Sequence, residues 1–120
     1  MPSPVHPQLS ALRQLTASWP ETSEVETWDH PTFRAGQKIF ATYAYHKGLH
    51  SISCKQSKPD QALLVTDPRF QVASHVGRHG WITIDIDHVE WDTVAELVEQ
   101  SYRLIALKRM VKALDESQGA

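Results

Sequence analysis

From Glu24 to Lys55 the chain reads EVETWDHPTFRAGQKIFATYAYHKGLHSISCK, a stretch rich in β-branched and aromatic residues and cut by Gly36-Gln37 and Lys47-Gly48. Apolar and polar residues recur here with a period of two, which belongs to strands and not to helices. Turns this short join only antiparallel neighbours, so the segment predicts a meander. In its third run Ile39, Ala41 and Tyr43 share one face. In its fourth, Ile52 and Cys54 share one and leave Ser51, Ser53 and Lys55 opposite. One side of the meander is therefore expected to be buried.

The flanking segments carry the other period. In HPQLSALRQLTASWP, Leu9, Leu12, Leu15 and Trp19 recur at near-helical spacing up to Pro20, which disfavours helix in the residue before it. PDQALLVTD is short and opens on a proline that a first helical turn tolerates, and it predicts a small connecting helix. Ile82, Ile84 and Ile86 then alternate with Trp81, Thr83 and Asp85, the pattern of a strand with one covered face. Thr93 and Glu96 have capping-box spacing, and Val94, Leu97, Val98, Leu104 and Ile105 mark the core side of a long helix reaching roughly Leu114. The order implies an α+β fold, a two-layer sandwich of an antiparallel meander sheet with N- and C-terminal helices packed on its isoleucine face. By parity the open face carries Lys38, Phe40, Thr42, Ser51, Ser53, Lys55, Trp81 and Thr83.

A chain of 120 residues, 41% apolar and 22% charged, has the size and composition of a single globular domain, with an ordered core expected over roughly 5–114. Its apolar runs fall far short of the ~20 residues that span a bilayer, and its start lacks a signal-peptide pattern, so a cytoplasmic location is expected. The single cysteine, Cys54, excludes an internal disulfide and a multi-thiolate metal site. A net charge of −2 argues against a dedicated nucleic-acid binder, but the charge is unevenly spread. Residues 30–80 carry seven Lys or Arg against Asp60 and Asp67, whereas residues 82–100 carry six acids and neither Lys nor Arg. With a Debye length of about 10 Å at ~0.1 M salt, a distant acidic face barely offsets a basic one.

Few residues suggest chemistry. Gly77 and Gly80 flank Arg78 and His79, and inward-turned amides there would form an anion nest beside a guanidinium. The same glycines equally serve a plain turn before a strand. His46 with His50 and His75 with His79 have the i, i+4 spacing of a helical metal site, but a glycine splits each pair and no second cysteine supplies a soft ligand, so no metal and no cofactor is expected. Cys54 shares parity with Ile52 and reads as a small buried hydrophobe, no Gly-x-Ser-x-Gly elbow exists, and no catalytic residue is assigned. Phe40 and Trp81 on an open face among lysines would form a stacking platform for nucleic acid, or an interface.

WDHPTFRAGQKIFA from Trp28, followed by VGRHGWITIDID and ELVEQSYRLIA, resembles the YjbR/MmcQ family of small bacterial proteins over nearly the whole chain. The matching positions are His30, Pro31, Phe33 and Arg34, then Lys38 to Ala41, Gly77 to Trp81, and Ser101-Tyr102-Arg103. The resemblance implies a fold similar to bacterial frataxin (CyaY-like) and a DNA-binding role, with no catalytic set. Iron binding as in frataxin relies on an acidic first helix, and no Asp or Glu lies between Pro4 and Pro20.

The expectation is thus a non-enzymatic DNA-binding module in which Arg34, Lys38, Lys55, Arg69, Arg78 and His79 approach phosphates, with Phe40 and Trp81 as stacking or interface residues. Two alternatives stay open. One is a small protein-interaction or self-associating module using the open face. The other is an anion or small-ligand binder with a cavity converging on His30, Arg34 and Arg78.

Overall fold

The computed structural model describes residues 6–119. Helix α1 (Pro7–Ala17) leads into the meander β1 (Thr22–Thr27), β2 (His30–Ala35), β3 (Lys38–His46) and β4 (Leu49–Lys55). A short α2 (Lys58–Leu64), strand β5 (Phe70–Val72), a single 3₁₀ turn at Gly77–His79 and β6 (Trp81–Asp85) follow. Helices α3 (Trp91–Ile105) and α4 (Lys108–Gln118) close the chain. The six strands form one antiparallel sheet in the order β1-β2-β3-β4-β6-β5. The α+β sandwich expected from the sequence is the fold observed. Among the described residues no helix is long and apolar enough to cross a membrane.

The core fills the space between sheet and helices. Ile82 and Ile84 of β6 and Ile86 just after it, with Ile52 and Cys54 beside them, meet Val94, Val98 and Tyr102 of α3 and Leu9 and Leu12 of α1, all nearly or wholly buried. Trp19, Phe40 and Tyr102 form an aromatic trio with centroid separations of 5.1 to 5.9 Å, within the range of favourable ring pairs. Tyr102 Oη donates to Pro20 O at 2.7 Å, so the ring that anchors α3 also fixes the turn after α1.

Phe40 corrects the parity expectation. Phe33 pairs with Ala41 and Arg34 with Ile39, so Phe40 is an extra residue without a partner on β2. This bulge turns Phe40 and Ala41 both into the core, each at 0% exposure, and sends Ile39 to the open face. Phe40 therefore cannot stack on a ligand. The bulge leaves the Phe40 carbonyl and the Lys55 amide without each other, and the buried Ser101 hydroxyl fills the gap: it donates to Phe40 O at 2.6 Å and accepts from Lys55 N at 2.8 Å.

Three further elements differ from expectation. Strand β5 has no clear signature in the sequence, because its three residues are too few to define a period and only Phe70 is buried. Helix α3 starts at Trp91, not at a Thr93 cap; Glu90 is its N-cap residue without a side-chain bond, and Asp92 sits in the first turn. The single long helix to Leu114 is instead two, parted at Ala106 and Leu107, whose backbones are extended. The apolar stripe of α3, continued in phase past Ile105, meets Lys108, Arg109 and Lys112. The break shifts the phase so that Met110 and Leu114 are buried instead.

Candidate functional site on the open sheet face

Because α1 and α3 pack on one face, the other is uncovered over β2, β3, β4 and β6. Its central row, read across the register, is Val25, Thr32, Thr42, Ser53, Thr83 and Gln71. Small hydroxyls dominate it. Ser53 Oγ lies 2.9 Å from Thr83 Oγ1, and Thr27 Oγ1 3.3 Å from Thr32 Oγ1. Such short side chains leave the sheet flat and open to a planar ligand.

The next row contains Arg34, Ile39, Lys55 and Trp81, at one end of the strands. Lys55 faces Trp81 across the β4–β6 ladder, and both are half-buried. Arg34 donates to Thr27 Oγ1 at 3.3 Å and to Gln37 O at 3.4 Å, long contacts, while its Nε has no partner. Directly before Trp81 the 3₁₀ turn presents Arg78 and His79, both exposed, and Lys58 Nζ donates to Arg78 O at 3.1 Å. Lys55, Lys58, Arg78, His79 and Trp81 therefore gather at one corner, with Arg34 at the same end of the sheet, three strands away from β6. Among the described residues none of these cations is paired with a carboxylate, whereas Arg13, Arg69, Arg103 and Arg109 all are.

Two predicted site residues lie elsewhere. Arg69 sits at the opposite end of β6, where Asp67 takes its guanidinium at 2.7 Å and His88 O accepts from Nη1 at 3.1 Å. The hydrogen bond from Arg69 holds the Asp67 carboxyl below its ordinary range, so this arginine is a clamp on β5 and its charge is already answered. Lys38 opens β3, paired with Ala35, on the helix side near Leu107, Arg109 and Met110, because the bulge resets the parity of β3. No cavity among the described residues converges on His30, Arg34 and Arg78: His30 and Arg34 occupy opposite ends of β2.

The glycines around Arg78 serve the turn. Gly80 has φ +94°, and a Cβ there would stand 2.1 Å from Gln56 O, whose own amide donates to Gly80 O at 2.9 Å. The loop is a backbone clasp between β4 and β6 that places Arg78 at the corner. Cys54 is wholly buried and its thiol is pushed up to about 12 by desolvation, which rules it out as a nucleophile in the folded state. Among the described residues no group of three or more His, Cys, Asp or Glu side chains has the geometry to hold a metal ion.

Sequence reasoning missed Trp28. It occupies the two-residue β1–β2 turn with Asp29, is 89% exposed, and walls a concavity of about 250 Å³ on the open face with His30, Thr32, Ile39, Thr42 and Ala44. The available signal was a tryptophan beside an Asp between two β-rich runs, a place where no core lies within reach.

Comparison with known proteins places this fold. A family model described as YjbR matches residues 17–104. The Deinococcus radiodurans protein DR2400, a DUF419-domain protein of known crystal structure, is similar at a TM-score of 0.72 and 20% identity, covering 92% of this chain and 87% of that one. A Pseudomonas syringae protein of known structure is similar at a TM-score of 0.66 and 18% identity, covering 83% of this chain and 98% of that one. No curated protein matches. At these identities the structural likenesses concern the fold alone, but the matched stretch takes in all six strands and nearly all of α3, and the chain belongs to the YjbR family.

Proposed function

We propose that this protein is a cytoplasmic, non-enzymatic nucleic-acid-binding module that holds backbone phosphates at the cationic corner of its open sheet face. The observation that carries this reading is the contrast among the arginines: Arg78, at the corner with Lys55 and Lys58, and Arg34, at the same end of the sheet, have no carboxylate partner among the described residues, while the other four arginines are paired. Cations left free on a face that no helix covers are available for phosphate oxygens, and a charge of −2 over the whole chain does not cancel them at short range. Phosphates fix position and carry no base specificity, so the corner predicts affinity that is sequence-tolerant and steeply salt-dependent.

Fluorescence anisotropy with labelled single-stranded and duplex DNA over a salt series tests it. Log affinity is expected to fall linearly with log salt, and Lys55→Ala with Arg78→Ala to reduce the slope by about one unit for each phosphate that is no longer neutralised. Arg69→Ala is expected to leave the slope unchanged. No binding to either form at low salt would end the proposal.

A further inference from the structure

Trp28 has no place in the fold's packing, and its setting makes that informative. Thr27 pairs with His30, so Trp28 and Asp29 are the two central residues of the β1–β2 turn, and both have positive φ, 55° and 64°. A turn of this type favours Asn and Gly, and a bulky side chain at positive φ is a rare choice. The indole is nevertheless 89% exposed, so burial does not explain it. What it does form is the outer wall of the ~250 Å³ concavity over His30, Thr32, Ile39, Thr42 and Ala44. That volume is below the ~300–1,000 Å³ of sites for drug-sized ligands and suits one planar heterocycle, with an aromatic wall, an apolar floor from Ile39 and Ala44, and Thr42 beside them; the Thr32 hydroxyl is buried and bonded to Val25 O.

We propose that the open face binds single-stranded nucleic acid, with one unpaired base seated against Trp28 in this concavity and the strand running diagonally across the hydroxyl row to Trp81 and the cationic corner. The proposal rests on the nucleic-acid reading above and specifies its substrate. Strand spacing and rise put the two tryptophans roughly 20 Å apart, so the track fits within the ~4–16 nucleotides of a single-strand module. Charge complementarity supports this occupant. Glu24 and Glu26 of β1 share the parity that faces the helices, and Arg13 binds Glu24 at 2.8 Å, which leaves that edge of the open face without their charge. Asp85, at the end of β6 away from Trp81, is held by His88 at 2.8 Å. Asp29 stands beside Trp28 and repels phosphate there, so a base and not the backbone enters that end, while phosphates are drawn to Arg34, Lys55 and Arg78. A duplex fits worse, because α1 and α3 lie behind the sheet and the open face is a broad six-stranded surface, wider than the single helix or two-stranded ribbon that a major groove admits.

The test is anisotropy with oligomers of about a dozen nucleotides: dT, the same length of U, the matching duplex, and dTMP alone as competitor, against the intact chain and its Trp28→Ala and Trp28→Phe variants. Expected is binding of dT or U at least about ten-fold tighter than duplex, a loss of about ten-fold or more in Trp28→Ala, and recovery of most of it in Trp28→Phe. The better of dT and U identifies the sugar. Circular dichroism spectra of the variants should be unchanged, since the side chain is exposed. Equal binding of duplex and single strand, or affinity untouched by Trp28→Ala, overturns this inference and leaves the phosphate corner standing. Binding of dTMP as tight as the oligomer reduces the site to a nucleotide pocket and also overturns it. No binding to any nucleic acid removes both proposals together.

Discussion

The Ser101 hydroxyl touches two strands from a helix, donating to Phe40 O and accepting from Lys55 N, with no exposed surface of its own. Removing it strands a buried carbonyl and a buried amide at once, and each unsatisfied group costs about 1–3 kcal/mol. Ser101→Ala is therefore expected to lower stability by about 2 kcal/mol or more in urea titration, far beyond the loss of one helical serine; a change within about 0.5 kcal/mol would mean that water replaces the hydroxyl. This contact is not legible in the sequence. Strict alternation places Phe40 on the open face and Ile39 in the core, and only the register shift opposite Phe33 and Arg34 reverses them. A bulge depends on pairing between strands, and a single run of residues does not display its partner.

At the scale of elements the β1–β2 turn sets a stability cost against a role. Trp28 in the left-handed region costs about 1–2 kcal/mol relative to a residue that accepts it, and Asp29, whose short polar side chain is better tolerated there, costs less. Trp28→Asn combined with Asp29→Gly is expected to raise the thermal midpoint by a few degrees while weakening oligonucleotide binding; a lowered midpoint would show that the indole packs against the face more than its exposure indicates. The meander is readable because four strands in sequence repeat one period and their turns carry Gly. The α3–α4 break is harder, since Thr93 and Glu96 imitate a cap and the slip of the apolar stripe at Lys108 and Arg109 is a single residue. Of the candidate site, charge and parity locate Arg34, Lys55, Arg78, His79 and Trp81, whereas they misplace Lys38 and Arg69, because one depends on the bulge and the other on Asp67, its neighbour two residues away.

The whole molecule is a slab of 40 × 39 × 25 Å, its long faces set by the sheet. Several surface carboxylates tie its parts together. Arg109 donates to Glu21, Arg69 to Asp67 and His6 to Asp87, and each bond holds its carboxyl below the ordinary range. His6 also accepts from Gln8 N through Nδ1, so the proton shared with Asp87 is on Nε2 and the ring joins the start of α1 to the loop after β6. Depressed folded values mean that these contributions are present above the unfolded carboxylate range near ~4 and are lost as pH falls through the folded values. The urea midpoint is expected to decline as pH drops from about 5 toward 2 and to decline less steeply in Asp87→Asn. High salt should blunt the effect, as these groups are exposed. A midpoint that holds steady through that range would assign acid stability to the core alone.

The single cysteine, Cys54, sits behind the sheet, its sulfur accepting from the Gln56 amide and sealed by the isoleucines of two strands. Nature has thus supplied a stopwatch for opening: in a pulse of thiol-specific dye near neutral pH, the native molecule should stay dark and colour only at the rate at which the sandwich comes apart. Labelling faster than global unfolding would reveal that β4 breathes on its own, and that the surface opposite the helices flexes while the rest holds.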